Sequence, residues 1–171
     1  MKLFHVDREN RLHEGDILKL FTDYDLRTYY GRQICDYVRN LYPEGISEHG
    51  NQYLFDGINK DWIVEAHLEN MRLRSFPESL SRFQSFFASS AECVEPFLIK
   101  LNIQKESVGI FEVDSENCSF YDMNLIDKLQ YPGVGVTQYY AHQYWAGERS
   151  ENPLLECLLP FPVTIGKKVN Y

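Results

Sequence analysis

Cysteine is scarce in this chain, and no two cysteines stand close together. The four are Cys35, Cys93, Cys118 and Cys157. None is paired at C-x-x-C spacing, and Cys93 and Cys157 lie in apolar runs, so they read as reduced core thiols rather than metal ligands or disulfides. The five histidines (His5, His13, His49, His67 and His142) are scattered at spacings that do not suit metal ligation. The motifs G-x-G-x-x-G, G-x-x-x-x-G-K-[ST], H-E-x-x-H and G-x-S-x-G are all missing, which removes the usual sequence support for dinucleotide-fold, P-loop, zincin and α/β-hydrolase chemistry. Basic residues are the minority, 17 Lys and Arg against 25 Asp and Glu. The resulting formal charge of −8 opposes coating a phosphate backbone with the chain as a whole, although a local basic patch stays open. The opening "MKLFHVDREN" has no long apolar stretch. No signal peptide or membrane span is expected, and the expected location is the cytoplasm. Repeats, low-complexity tracts and linkers are also missing.

A length of 171 residues with 44% apolar content suits one domain over residues 1–171 with a real core. Aromatics reach 15%, with 12 tyrosines, a surplus that can serve as core or as a stacking surface for flat ligands. "KLFHV" (Lys2–Val6) reads as a strand and "ILKLFT" as a second short one. Apolar steps of three and four through Tyr30, Ile34, Val38 and Leu41 predict a helix over Arg27–Leu41, ended by "YPEG". "ISEHGNQYLFDG" reads as a loop. A helix is expected over Asn59–Leu73, with Trp62, Ala66 and Met71 inward and charges on the other face. "SRFQSFFA" reads as a strand running into a helix through a capping box, Ser89 with Glu92. "SVGIFEVD" is a strand, "SENCSFYDMN" a loop, and Thr137–Ala146 a helix. "PLLECLLPFPVTI" reads as a buried strand, a proline turn and a last strand, "VTIGKKV". Helices grouped early and strands grouped late suggest α+β around a mainly antiparallel sheet.

Three stretches carry candidate chemistry. His5 is either a sheet imidazole bonded to backbone or a donor aimed at a hydroxyl-rich ligand. In "SRFQSFFASSAE", Arg82, Gln84 and Phe86 alternate with Phe83, Ser85 and Phe87. The helix start that follows offers free N–H groups suited to an anion, while Phe83, Phe86 and Phe87 could simply be core. Glu156 stands among leucines, and burying a lone carboxylate is costly, so it needs a partner, such as Arg149 or a lysine, or a task.

In this order the three stretches resemble the ADP-ribosyltransferases. "LFHVDRENRLHEGDIL" is similar to the opening of the rifamycin-modifying members, "FFASSAECVEPF" to their second motif, and "LLECLLPFPVTI" to the last motif of the wider group. The whole chain also resembles a bacterial family of unknown function grouped with these enzymes. The resemblance implies an α+β fold with a split, mainly antiparallel sheet flanked by helices. It implies NAD as substrate, ADP-ribose transfer to an acceptor that is a protein, nucleic acid or small molecule, and release of nicotinamide. His5 would hold the adenosine ribose, Phe86 would stack on nicotinamide, and Glu156 would bind the nicotinamide-ribose 2′-hydroxyl, with Arg82, Ser85 and Phe87 supporting. The sequence departs from the pattern at Val6-Asp7, where Gly-Thr is usual, and at Phe86, where tyrosine is usual. In the rifamycin-modifying members an aspartate takes the third role, and "YDMN" offers Asp122 and Asn124, so Asp122 competes with Glu156. Ser47, Glu48, His49 and Gly50 form a motif-like stretch that either shapes a loop or meets the acceptor. The alternatives are a non-enzymatic relative that binds a nucleotide or a protein, and a structural protein with no ligand.

Overall fold

Alternation of side chains in "KLFHVD" builds β1 (Lys2–Asp7), which turns Leu3 to one face and Phe4 to the other. The computed structural model describes residues 1–23, 31–55, 61–130 and 133–169. After β1 come β2 (Ile17–Leu18), α1 (Arg32–Leu41), α2 (Glu48–Phe55) and α3 (Trp62–Ser75). Then follow β3 (Ser85–Ala88), α4 (Ala91–Lys100), β4 (Gly109–Asp114), β5 (Ser119–Asp122), α5 (Met123–Asp127), α6 (Val134–Trp145), β6 (Leu155–Pro160) and β7 (Val163–Lys168). The fold is α+β, and every strand pairing is antiparallel among the described residues. Among the described residues the strands form two sheets, ordered β1-β4-β7-β2 and β3-β6-β5. They touch where Phe4 and Ser89 exchange backbone hydrogen bonds of 2.8 Å.

The layers follow from which face of each strand is apolar. α4 covers the outer face of the larger sheet, packing Val94 and Leu98 on Phe4 and Ile110. Between the sheets lie Leu3, Phe111, Val113 and Ile165 from one side and Phe86, Ala88, Cys157 and Leu159 from the other. α3 and α6 cover the far face of the smaller sheet, with Val64, Leu68, Tyr144 and Trp145 packed on Tyr121 and Leu158. A fourth cluster holds α1 and α2 against Phe83 through Cys35, Val38, Tyr42, Ile46 and Phe55. Among the described residues no helix is long and apolar enough to cross a membrane.

Several expectations need correction. "SEHGNQYLF" is helical, because the Ser47 hydroxyl accepts from the Gly50 N–H at 3.1 Å and so starts α2. "CSFYDMN" is the strand β5 followed by α5, with the Asp122 carboxylate accepting from the Asn124 N–H at the junction. α3 does not turn Trp62 inward: Trp62 is 48% exposed, and the buried stripe is Val64, Leu68 and Met71. Its charges are not all outside either, since Glu65, Glu69 and Arg72 are buried. The strand expected at Ser81 begins at Ser85, after a single 3-10 turn over Arg82–Gln84, so Arg82 does not alternate with Phe86. The expected capping box is not formed: Ser90 is the N-cap of α4 and makes no side-chain cap bond. The expected starts of the first two long helices, residues 27–30 and 59–60, lie outside the described residues.

Candidate functional site

Glu156 is 5% exposed and has partners, though not the expected Arg149 or a lysine. Its Oε1 accepts from the Tyr144 hydroxyl at 2.8 Å and from Nη1 of Arg82. Arg82 is equally buried and is held from its other side by Glu65 of α3. Its Nε donates to Glu65 Oε2 at 2.9 Å and its Nη2 to Glu65 Oε1 at 2.9 Å. Nη1 also donates to the Tyr144 oxygen at 2.6 Å. Both bonds to Glu156 converge on one oxygen. Among the described residues its Oε2 has no hydrogen-bond partner.

The 3-10 turn explains how Arg82 reaches this place. Ser81 caps the turn by accepting from the Phe83 N–H at 3.1 Å, and its hydroxyl donates to Glu69. Arg82 is thereby aimed at α3 and α6 rather than along a strand face. Burial opposes its charge, but the Glu156 and Glu65 carboxylates outweigh that and raise its pKa well above the ordinary arginine range. Burial likewise pushes the Glu65 carboxyl upward, but Arg82 and His49 outweigh it and hold it below the usual range. The Tyr144 hydroxyl is pushed well up, first by burial, so it stays a donor.

His49, on α2, extends the network outward. Its Nε2 lies 3.2 Å from Glu65 Oε1, close enough for charge attraction but not aligned as a hydrogen bond. Its ring stands 4.7 Å from Tyr53 and 4.5 Å from Phe87, centroid to centroid. Arg82 in turn lies 4.9 Å from the Phe87 centroid, within cation–π range. Gly50 makes this possible: a Cβ there would stand 2.4 Å from the Phe83 carbonyl oxygen, so only glycine lets α2 approach so closely.

His5 sits on the other side of β3. Its Nδ1 donates to the Phe87 carbonyl at 2.7 Å, and its ring meets Phe86 at 4.3 Å. Burial lowers its pKa, partly offset by that carbonyl. Phe86 pairs with Leu159 and Phe87 with Leu158. Since adjacent residues of β6 point to opposite faces, Phe86 shares the inter-sheet face with Cys157 and Leu159, whereas Phe87 shares the face of Glu156. The predicted residues therefore fall into two groups around one edge strand: His5 with Phe86 on one face, and Arg82, Phe87 and Glu156 on the other. Phe87 belongs to both, by its backbone and by its ring.

Three predicted or motif-bearing residues are tied into the scaffold. Asp122 is 0% exposed. Its Oδ1 accepts from the N–H groups of Asn124 and Leu154, both at 3.0 Å, and its Oδ2 from the N–H and hydroxyl of Ser150 at 2.7 and 2.6 Å. Four donors fill the capacity of a carboxylate. Ser85 donates to the Ser81 carbonyl at 2.7 Å. Asp7 accepts from the N–H groups of Glu9 and Leu12 and folds the polar turn after β1.

Glu65 and Tyr144 were not among the sequence candidates, and His49 stood out only as part of the motif-like stretch Ser47–Gly50. Their signal was faint: Glu65 looks like a surface residue until Val64 and Leu68 are known to be the buried stripe beside it. Among the described residues no group of three or more His, Cys, Asp or Glu side chains is placed to hold a metal ion. No curated protein matches the chain. A family model described as a protein of unknown function, DUF2441, matches residues 3–171, and the chain belongs to that family.

Proposed function

We propose that this chain is an NAD-dependent ADP-ribosyltransferase of the ADP-ribosyltransferase-like fold, with Glu156 as the carboxylate beside the reacting sugar. The observation that carries the reading is the state of Glu156: a buried carboxylate anchored through one oxygen, with the other oxygen unpartnered among the described residues. Asp122, the competing candidate, has no free acceptor and is not assigned the role.

Losing nicotinamide leaves positive charge on the ribose, as glycoside cleavage does. A fixed carboxylate in a dry site stabilises that charge without reorganising. Oε2 of Glu156 can accept from a ribose hydroxyl while Oε1 stays on Tyr144 and Arg82. Arg82 does not have to move, because Glu65 holds it through separate nitrogens. Two carboxylates face one guanidinium, so the network carries an excess of negative charge. The half-buried rings of Phe87, His49 and Tyr53 stand beside it. That combination suits a flat cationic ring such as the pyridinium of NAD. His5 and Phe86 would take the adenosine end around the β3 edge, with the His5 tautomer set by the Phe87 carbonyl.

The test is nicotinamide release from NAD by the wild type and by Glu156→Gln, with NAD binding followed by calorimetry on both. The expected result is binding by both proteins and a fall in release on the order of 10²–10³-fold in the variant. Binding without release by the wild type favours a non-enzymatic nucleotide-binding relative, and no binding ends the NAD assignment.

A further inference from the structure

The stretch "SEHG" places an imidazole against the Glu65 carboxylate of the network, and the reading above uses that imidazole only as a neighbouring ring. We propose that His49 is the general base that takes the proton from a hydroxyl acceptor, with Glu65 holding the resulting imidazolium; this rests on the NAD reading. The geometry is that of a carboxylate–imidazole dyad. Glu65 stands behind Nε2 at 3.2 Å, while the side chain keeps 21% of its surface exposed. Nε2, on the Glu65 side, is sealed from solvent, which leaves Nδ1 as the nitrogen to meet an acceptor. Loose alignment of such a pair is common before substrate binds. Tyr53 and Phe87 flank the ring and limit its rotation. Among the described residues, the charged and titratable groups packed near it include Glu65 from α3, Arg82 behind Glu65, and Tyr53 from its own helix.

The step balances as follows. The bond from ribose C1′ to the pyridinium nitrogen breaks, and its electron pair leaves with nicotinamide. The acceptor oxygen forms the new bond to C1′ and gives its proton to His49 Nδ1, which later passes it to water. One proton is released for each neutral nicotinamide formed. The acceptor class follows from the base: a hydroxyl must give up its proton as the new bond forms, whereas an anionic nucleophile has none to give up.

The experiment supplies NAD with methanol or with azide and measures the ratio of methyl to azido ADP-ribose for wild type, His49→Gln and Glu65→Gln. NAD affinity is measured alongside as the check on folding. The expected ratio falls on the order of 100-fold in His49→Gln and roughly tenfold in Glu65→Gln, which leaves the imidazole but not its support. A structural role for His49 would lower both products together and leave the ratio unchanged, which overturns the proposal alone. NAD binding with no nicotinamide release from either nucleophile overturns it while leaving NAD recognition intact. Failure of the wild type to bind NAD overturns both readings.

Discussion

Two buried arginines serve α3, and they are used differently. Arg72 meets a single carboxylate: its Nε and Nη2 donate to the two oxygens of Glu69 at 3.0 and 2.8 Å, and its Nη1 donates to the carbonyls of Ser79 and Pro77. Glu69 also accepts from the hydroxyls of Tyr42 and Ser81, both at 3.0 Å. One charge answers one charge, and the network is closed. Arg82 meets two carboxylates and a phenol, one Glu156 oxygen has no partner among the described residues, and the His49 contact is misaligned. Both clusters are buried, so burial does not separate scaffold from site. The count of donors against acceptors does.

Removing each guanidinium sharpens the contrast. Arg82→Met strands Glu65 and Glu156 together and is expected to cost about 5 kcal/mol in urea unfolding, or to prevent folding. Arg72→Met strands only Glu69, which keeps Tyr42 and Ser81, and should cost about 3 kcal/mol. Equal losses would mean that Glu156 finds other partners readily and that the second network is no more strained than the first. The two aspartate and glutamate candidates extend the same logic. Asp122→Asn leaves the Ser150 donors facing an amide and should cost about 2–3 kcal/mol. Glu156→Gln keeps an acceptor for Tyr144 and leaves Arg82 with Glu65, so about 1 kcal/mol is expected. A Glu156→Gln loss larger than that of Asp122→Asn would return Glu156 to a purely structural role.

Much of the sheet was legible in the sequence. "KLFHV", "GIFEVD", "LECLLP" and "VTIGKKV" are apolar, β-branched or alternating runs bounded by turn residues, and all are strands. α2 and β5 were hidden. α2 contains Gly50 and Asn51, poor helix formers, and exists because Ser47 caps it and Phe83 packs on it. β5 is four residues long and depends on pairing with β6. The site was half legible. A glutamate among leucines announces itself, and so does the phenylalanine pair. Their partners do not: Glu65 lies 17 residues before Arg82 and Tyr144 lies 62 after it, separations at which no local pattern operates. Period two also failed at Arg82, where the Ser81 cap makes a turn that propensity alone does not reveal.

Acid titration offers the smallest and most separable effect. Burial holds the folded pKa of His5 below its ordinary 6.5. The unfolded chain therefore binds this proton first, and the stability from neutral His5 is complete above 6.5 and is lost as pH falls below it. Glu65 obeys the same sign at a lower window. Its folded pKa lies below the ordinary 4.5, so its contribution is complete above 4.5 and is lost only as pH falls further. Urea unfolding at pH 7.5, 5.5 and 3.5 should show two declines. His5→Gln should flatten the first and spare the second; Glu65→Gln should do the reverse. If His5→Gln left the upper decline unchanged, the imidazole would not be held neutral by the seam, and the tautomer that the Phe87 carbonyl imposes on it would have to be given up.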